Sequence, residues 1–269
     1  MRLGTAWPSG ARAPRDLVWR LLRHTIGGGD EACLRKLLPQ RAVAGREEID
    51  RLMDELRDSD ELADAVDSAQ ARAQSPLRPE LTGRNRLLAQ MNLQGTGYGR
   101  ALLLYAAARL ARPAVVVETG CFTGWDSAML LQALDRNGLG QLYSIDLPAE
   151  EGRFSQAGPG SALRPGLPIG LLVPPAFKAR WTLIVGDIRD ELGPLLDRIG
   201  QVDLFYHDSD HSYPHMTWEL NTVWPHLAQG ALVVADDIAW STAFWDFARK
   251  MGRHPVIHRH APNVGALSK

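Results

Sequence analysis

Beyond residue 95 the sequence predicts an α/β fold: a doubly wound, mostly parallel sheet with helices on both faces and an antiparallel C-terminal hairpin. Three observations predict it. Short apolar runs rich in β-branched residues alternate with helix-length segments from residue 99 onward. That alternation implies crossover connections, and therefore parallel strands covered on both faces. Each of the five strand-like runs also ends in acid, at Glu118, Asp146, Asp187, Asp208 and the pair Asp236-Asp237. Ligands of such sheets bind outside the carboxyl ends of the strands, so the row of acids marks the functional edge.

The elements follow in order. Residues 1–94 form a charged, helical N-terminal extension. DLVWRLLRHTI (16–26) and EEIDRLMDELRDSDELADAVDSAQ (47–70) repeat apolar residues at three- and four-residue spacing. The triplet Gly27-Gly28-Gly29 separates them, and SPLRPE (75–80) reads as a turn. The second unit, 95–269, opens with a helix, GRALLLYAAARLA (99–111), and a strand, AVVVE (114–118). DSAMLLQALDRNG (126–138) is a helix stopped by Asn-Gly, and QLYSID (141–146) is the second strand. Strands three and four are WTLIVGD (181–187) and VDLFYHD (202–208). YPHMTWELNTVWPHL (213–227) is a helix bent or ended by Pro225. ALVVADD (231–237) is the fifth strand and STAFWDFARKM (241–251) the last helix. PVIHRH (255–260) and NVGALSK (263–269) close the sheet as a hairpin. The connection 149–178 is long for a structureless loop, which points to a lid or to an insertion packed on a neighbouring subunit.

Composition narrows the class. The chain has 269 residues, is 45% hydrophobic and 23% charged, and carries a formal net charge of −1. A near-neutral chain lacks the basic face that a nucleic-acid partner needs. Two distant cysteines, Cys33 and Cys121, offer neither a disulfide framework nor a cysteine zinc site. No apolar run reaches membrane-spanning length, and none follows the N-terminal arginines. The expectation is a cytoplasmic protein with a small-molecule partner, no nucleic acid and no membrane. The amphipathic N-terminal helices make a homodimer the expected assembly.

The first strand runs into ETGCFTGWDS (118–127), where Gly120 and Gly124 permit backbone conformations or close approaches that a side chain forbids. The spacing is not GxGxxG, which disfavours a gripped pyrophosphate; a tight strand-to-helix turn explains the pair equally. Asp146 stands where an acid accepts hydrogen bonds from ribose hydroxyls. Asp187 stands where a carboxylate or its backbone meets an adenine amino group. Together these suit an adenosine without phosphates, its amino-acid tail near Glu118 and the glycine loop.

VVVETGCFTGWDS, LYSIDLP and LIVGD resemble the first three motifs of the class I S-adenosylmethionine-dependent methyltransferases, over about residues 95 to 269. The resemblance implies a Rossmann-like sheet and a cofactor pocket of Glu118, Gly120, Gly124, Asp146 and Asp187, lined also by Cys121 and Phe122. Cys121 is equally readable as a small residue filling the turn.

Asp208, Asp236 and Asp237 end neighbouring strands on the acceptor side of that pocket. Convergent carboxylates repel one another, and a hard divalent cation such as Mg²⁺ would relieve this while orienting a substrate hydroxyl. Asp208-Ser-Asp-His211 followed by Tyr213 and by Asp236-Asp237 resembles the metal-dependent small-molecule O-methyltransferases, in particular natural-product enzymes with a DGDHSY-like stretch. His211 falls where catechol-type members carry a catalytic lysine, and a neutral histidine takes a proton near pH 7 without a large pKa shift. The competing readings are helix caps for Asp236-Asp237, Asp210 and Ser212, and a hydrogen-bonding structural role for His211. Trp240, Phe244 and Trp245 would wall the acceptor side. The favoured function is metal-assisted O-methylation of a small-molecule hydroxyl. An NAD(P)-dependent oxidoreductase and a catalytically silent methyltransferase-fold binding protein are the alternatives.

Overall fold

The structure is a computed structural model and describes residues 35–36, 46–73, 97–147, 168–258 and 261–269. The expected helix at 16–26, the turn at 75–80 and the greater part of the 149–178 connection lie outside the described residues.

Seven strands form one sheet in the order β3-β2-β1-β4-β5-β7-β6. They are β1 (Val115–Thr119), β2 (Gln141–Asp146), β3 (Trp181–Val185), β4 (Val202–His207), β5 (Leu227–Ala235), β6 (Val256–His258) and β7 (Ala261–Ser268). The first five are parallel, and β7 pairs antiparallel with both β5 and β6. From β1 the chain builds outward through β2 and β3, then returns to lay β4 against the other side of β1. The order reverses between β1 and β4, so a crevice opens at their carboxyl ends.

One face carries α3 (Gly97–Ala111) and α4 (Trp125–Asn137), and their buried residues join Val116, Leu142, Leu204 and Val234 in one core. The other face carries α5 (Ile188–Ile199), α6 (Tyr213–Val223) and α7 (Ala243–Lys250) over Val117, Ile145, Phe205 and Val233. Alternate residues of each central strand feed opposite cores, as the pleat requires. Because both faces are covered, the strands read as unbroken apolar runs.

The periodic segment at 47–70 is two helices, α1 (Arg46–Arg57) and α2 (Asp60–Ala73). Ser59 breaks them: its buried Oγ accepts the Leu62 amide at 3.2 Å, the use of serine at a helix start. Leu52, Leu56, Leu62 and Val66 enter the same core as α3 and α4. Glu55 ties α1 to α3 by accepting from the Tyr105 hydroxyl at 2.7 Å and the Arg109 Nε at 2.9 Å.

Candidate functional site

The loop after β1 is held by close backbone contacts. Gly120 has φ +81°, and a Cβ there would meet the Asp208 carbonyl oxygen at 2.0 Å. Gly124, also at φ +81°, has the Gly170 Cα 2.6 Å from its would-be Cβ. The end of the 149–178 connection lies against this loop. Gly170 N donates to the Phe122 carbonyl at 2.9 Å and Leu172 N to that of Thr123 at 2.8 Å. The apolar run there is anchored, with Leu172, Val173 and Phe177 buried.

Asp146, at the end of β2, grips the same loop. Its Oδ2 accepts the amides of Cys121 at 3.0 Å and Phe122 at 2.6 Å. Burial raises its pKa, and those amides oppose the rise. An ionised carboxylate has about four acceptor sites, so capacity is left for a ligand hydroxyl. Phe122, at φ +47°, and Leu147 are exposed beside it at 40% and 46%.

Three expected pocket residues have partners within the protein. Glu118 is fully buried and accepts from the hydroxyls of Ser127 at 2.6 Å and Ser144 at 2.5 Å. Burial pushes its pKa up to about 8, against the pull of those hydroxyls. The Cys121 sulfur is buried, 3.2 Å from the Ser127 oxygen, so this residue meets the loop edge through its backbone. Asp187 is exposed and is the N-cap of α5, accepting the Arg189 amide at 2.8 Å.

On the acceptor side, the Asp236 carboxylate is buried and bonded to the guanidinium of Arg100, from the first turn of α3. The second guanidinium nitrogen is 3.2 Å from Asp126, and the first is also 4.0 Å from Asp208. Tyr206 donates its hydroxyl toward Asp126 at 3.0 Å and Asp208 at 3.3 Å. Burial raises the pKa of both Asp208 and Asp236, and Arg100 pulls both back. Despite its own burial Arg100 stays charged, its pKa raised by Asp126 and its other neighbours.

This arrangement does not fit the metal expected at Asp208, Asp236 and Asp237. Part of the charge that would attract a divalent ion is already met by a guanidinium bonded to Asp236 and shared with Asp126 and Asp208. Two unit charges about 4 Å apart interact by about 4 kcal/mol at an effective dielectric of about 20, and a divalent ion doubles that repulsion. Ion and guanidinium therefore compete for the same oxygens. Among the described residues no group of three His, Cys, Asp or Glu side chains is placed to hold a metal ion. Asp237 has a left-handed backbone, φ +48°, and its carboxylate lies 3.7 Å from His211.

The His211 Nε2 lies 3.7 Å from Asp237 Oδ2 and 3.8 Å from Asp208 Oδ1, with the Trp240 ring at 5.7 Å between centroids. Burial, and then the charge of His207, push its pKa down to about 4; the ring is neutral at pH 7, but the expected absence of a large pKa shift does not hold, and its basicity is lower than that of a free imidazole. Ser212 caps α6, as its position suggested, and Asp210 accepts the Ser212 amide at 2.9 Å. Of the expected aromatic wall, Phe244 belongs to the core, where its ring lies 2.4 Å from a would-be Cβ of Gly265. Trp240 stands at the site.

Arg100, Asp126 and Glu219 escaped the sequence reading. Glu219, fully buried in α6, accepts from Thr119 at 2.9 Å, His207 at 2.5 Å, Ser209 at 2.7 Å and His215 at 2.8 Å. It thus ties the strand ends of β1 and β4 to the loop bearing Asp208 and His211. His215 spends its Nε2 on this carboxylate. A glutamate four residues after a histidine in a helix was the available signal.

Residues 117–238 match the model of a family described as a methyltransferase domain. No curated protein matches the chain. Among solved structures, the chain is similar to cofactor-bound Rv0187 from MTB, at 18% identity over 82% of this chain and 95% of that one, with a TM-score of 0.50. It is also similar to the SAH-bound methyltransferase PaMTH1 of Podospora anserina, at 13% identity over 83% and 95%, with a TM-score of 0.49. The O-methyltransferase TomG from Streptomyces achromogenes, in complex with SAM, aligns at 20% identity over 79% and 91%, with a TM-score of 0.47.

Proposed function

We propose that this chain, a methyltransferase by the domain its residues 117–238 carry, moves the methyl group of S-adenosylmethionine to a hydroxyl of a small molecule. The observation that carries the reading is the pairing of two half-sites across the β1/β4 crevice. On one side Asp146 is fixed by two loop amides between exposed Phe122 and Leu147. That combination suits a ribose diol held by the carboxylate and a purine laid on apolar surface. On the other side, neutral His211 faces two carboxylates beside Trp240.

The cofactor, when bound, supplies a methyl group on a sulfonium already activated for transfer. The protein's part is alignment and proton removal. His211 accepts the acceptor hydroxyl's proton as its oxygen bonds to carbon, and Asp208 and Asp237 stabilise the imidazolium that results. The left-handed turn at Asp237 is the kind of local strain that persists where surrounding structure fixes a functional group. The buried Arg100 favours a metal-independent form of the reaction over the metal-assisted form expected from the motif.

Calorimetric titration with S-adenosylmethionine and with NAD tests the reading. The first should bind and the second should not; the reverse result sinks it. His211→Ala should keep cofactor affinity and lose about 10²- to 10⁴-fold in kcat, the usual worth of a positioned general base. An unchanged kcat removes His211 from the mechanism.

A further inference from the structure

Three carboxylates, Asp126, Asp208 and Asp236, converge beneath the acceptor side of the crevice. Side-chain exposure is 8% for Asp126 and 4% for Asp236. Each of these two keeps one buried oxygen, its Oδ1, without a hydrogen-bond partner. Such a cluster is relieved either by holding protons or by a cation, and a cation is what stands beside it. The guanidinium of Arg100, itself 13% exposed, lies within 4.0 Å of all three carboxylates. A planar fork of donors distributes one charge over several carboxylates, where an ammonium acts as a point.

We propose that Arg100 is the resident cation of this site: its guanidinium supplies the positive charge shared by the three carboxylates and holds Asp208 and Asp236 where they border the acceptor crevice. Arg100 is then a positioning residue, acting through Asp208 on the wall that faces His211. The catalytic consequence, methyl transfer without added metal, rests on the methyltransferase reading. The cation-binding consequence stands without it.

The experiment uses the full chain stripped of metal and titrated with Mn²⁺, read by the paramagnetic resonance signal of the free ion. The wild type should leave that signal unchanged. Arg100→Ala should remove one equivalent of it, and adding Asp236→Asn to that variant should restore it. Arg100→Lys, which keeps the charge, should behave as the wild type. Where Arg100→Ala does not fold, Arg100→Gln replaces it, and the wild-type titration stands on its own. A wild type that binds one Mn²⁺, lost on Asp236→Asn, overturns the proposal. A folded Arg100→Ala that takes up no Mn²⁺ overturns it too, because the cluster would need no cation. In the activity arm, turnover that survives a chelator supports it, and turnover abolished by chelator and restored by Mg²⁺ overturns it. Mn²⁺ excluded by the wild type and captured by Arg100→Ala, with no methyl transfer to any acceptor, would leave the resident cation standing and sink the methyltransferase reading alone.

Discussion

Gly120 shows how one residue couples two ends of the crevice. Its left-handed backbone and the Asp208 carbonyl 2.0 Å from a would-be Cβ leave no room for alanine. Gly120→Ala should cost at least about 1–3 kcal/mol, the usual penalty for overpacking, with the left-handed conformation adding to it. Denaturant melts measure the loss, and S-adenosylmethionine affinity should fall with it, because the same loop supplies the amides that grip Asp146. An Ala variant as stable as the wild type would mean that the two loops separate freely. The contrast with Glu118 is instructive. Glu118 lies inside β1 and Gly120 just past its end, yet the glutamate is buried and bonded to Ser127 and Ser144. Strand-end position marks a neighbourhood, and the side chain's face decides whether it meets a ligand.

At the level of elements, α6 works as a bracket. Its Glu219 receives Thr119 from β1, His207 from β4 and Ser209 from the following loop. Burial alone would raise the pKa of Glu219, but His207 and His215 bring it far below the usual glutamate range. The sign follows from linkage: a depressed folded-state pKa gives stability that is present above the unfolded value, about 4.3 for glutamate, and is lost as pH falls toward the folded one. Wild type should exceed Glu219→Gln in stability at pH 7, and the gap should narrow below about pH 4. Chemical unfolding of both proteins at several pH values measures it; a gap that widens in acid would contradict the assignment. The strands and most helices from residue 97 on were legible from apolar runs and 3.6-residue spacing. The break at Ser59 was not, because a serine in a periodic stretch reads equally as an exposed position. The Glu219 network was legible only at His215, one turn before it; its reach to Thr119 joins residues 100 positions apart.

For the whole molecule, the reversal of strand order between β1 and β4 sets where ligands meet. The row of acids located that edge from sequence alone, because parallel strands place their carboxyl ends together. What the acids do there was not legible. Asp146 serves a loop, Asp187 a helix start, Asp236 an arginine and Asp237 a histidine, and those partners come from tertiary packing. Cofactor binding only to the folded chain should raise its stability by about 2.7 kcal/mol at a hundredfold excess over Kd. A protein of this size converts each kcal/mol into about 2–4 °C, so the melting point should rise by several degrees with S-adenosylmethionine. NAD should leave it unmoved. No described helix is long and apolar enough to cross a membrane.

The acid cluster also bears on where this chain can be cut. The family match begins inside β1, at residue 117, and the region from there supplies the three carboxylates of the cluster. Their counter-charge comes from Arg100, seventeen positions upstream of that boundary. A fragment trimmed to the matched region would keep the sheet's acids and discard their neutraliser. Swapping this region into another scaffold would therefore graft a wound of uncompensated charge unless the preceding helix travels with it.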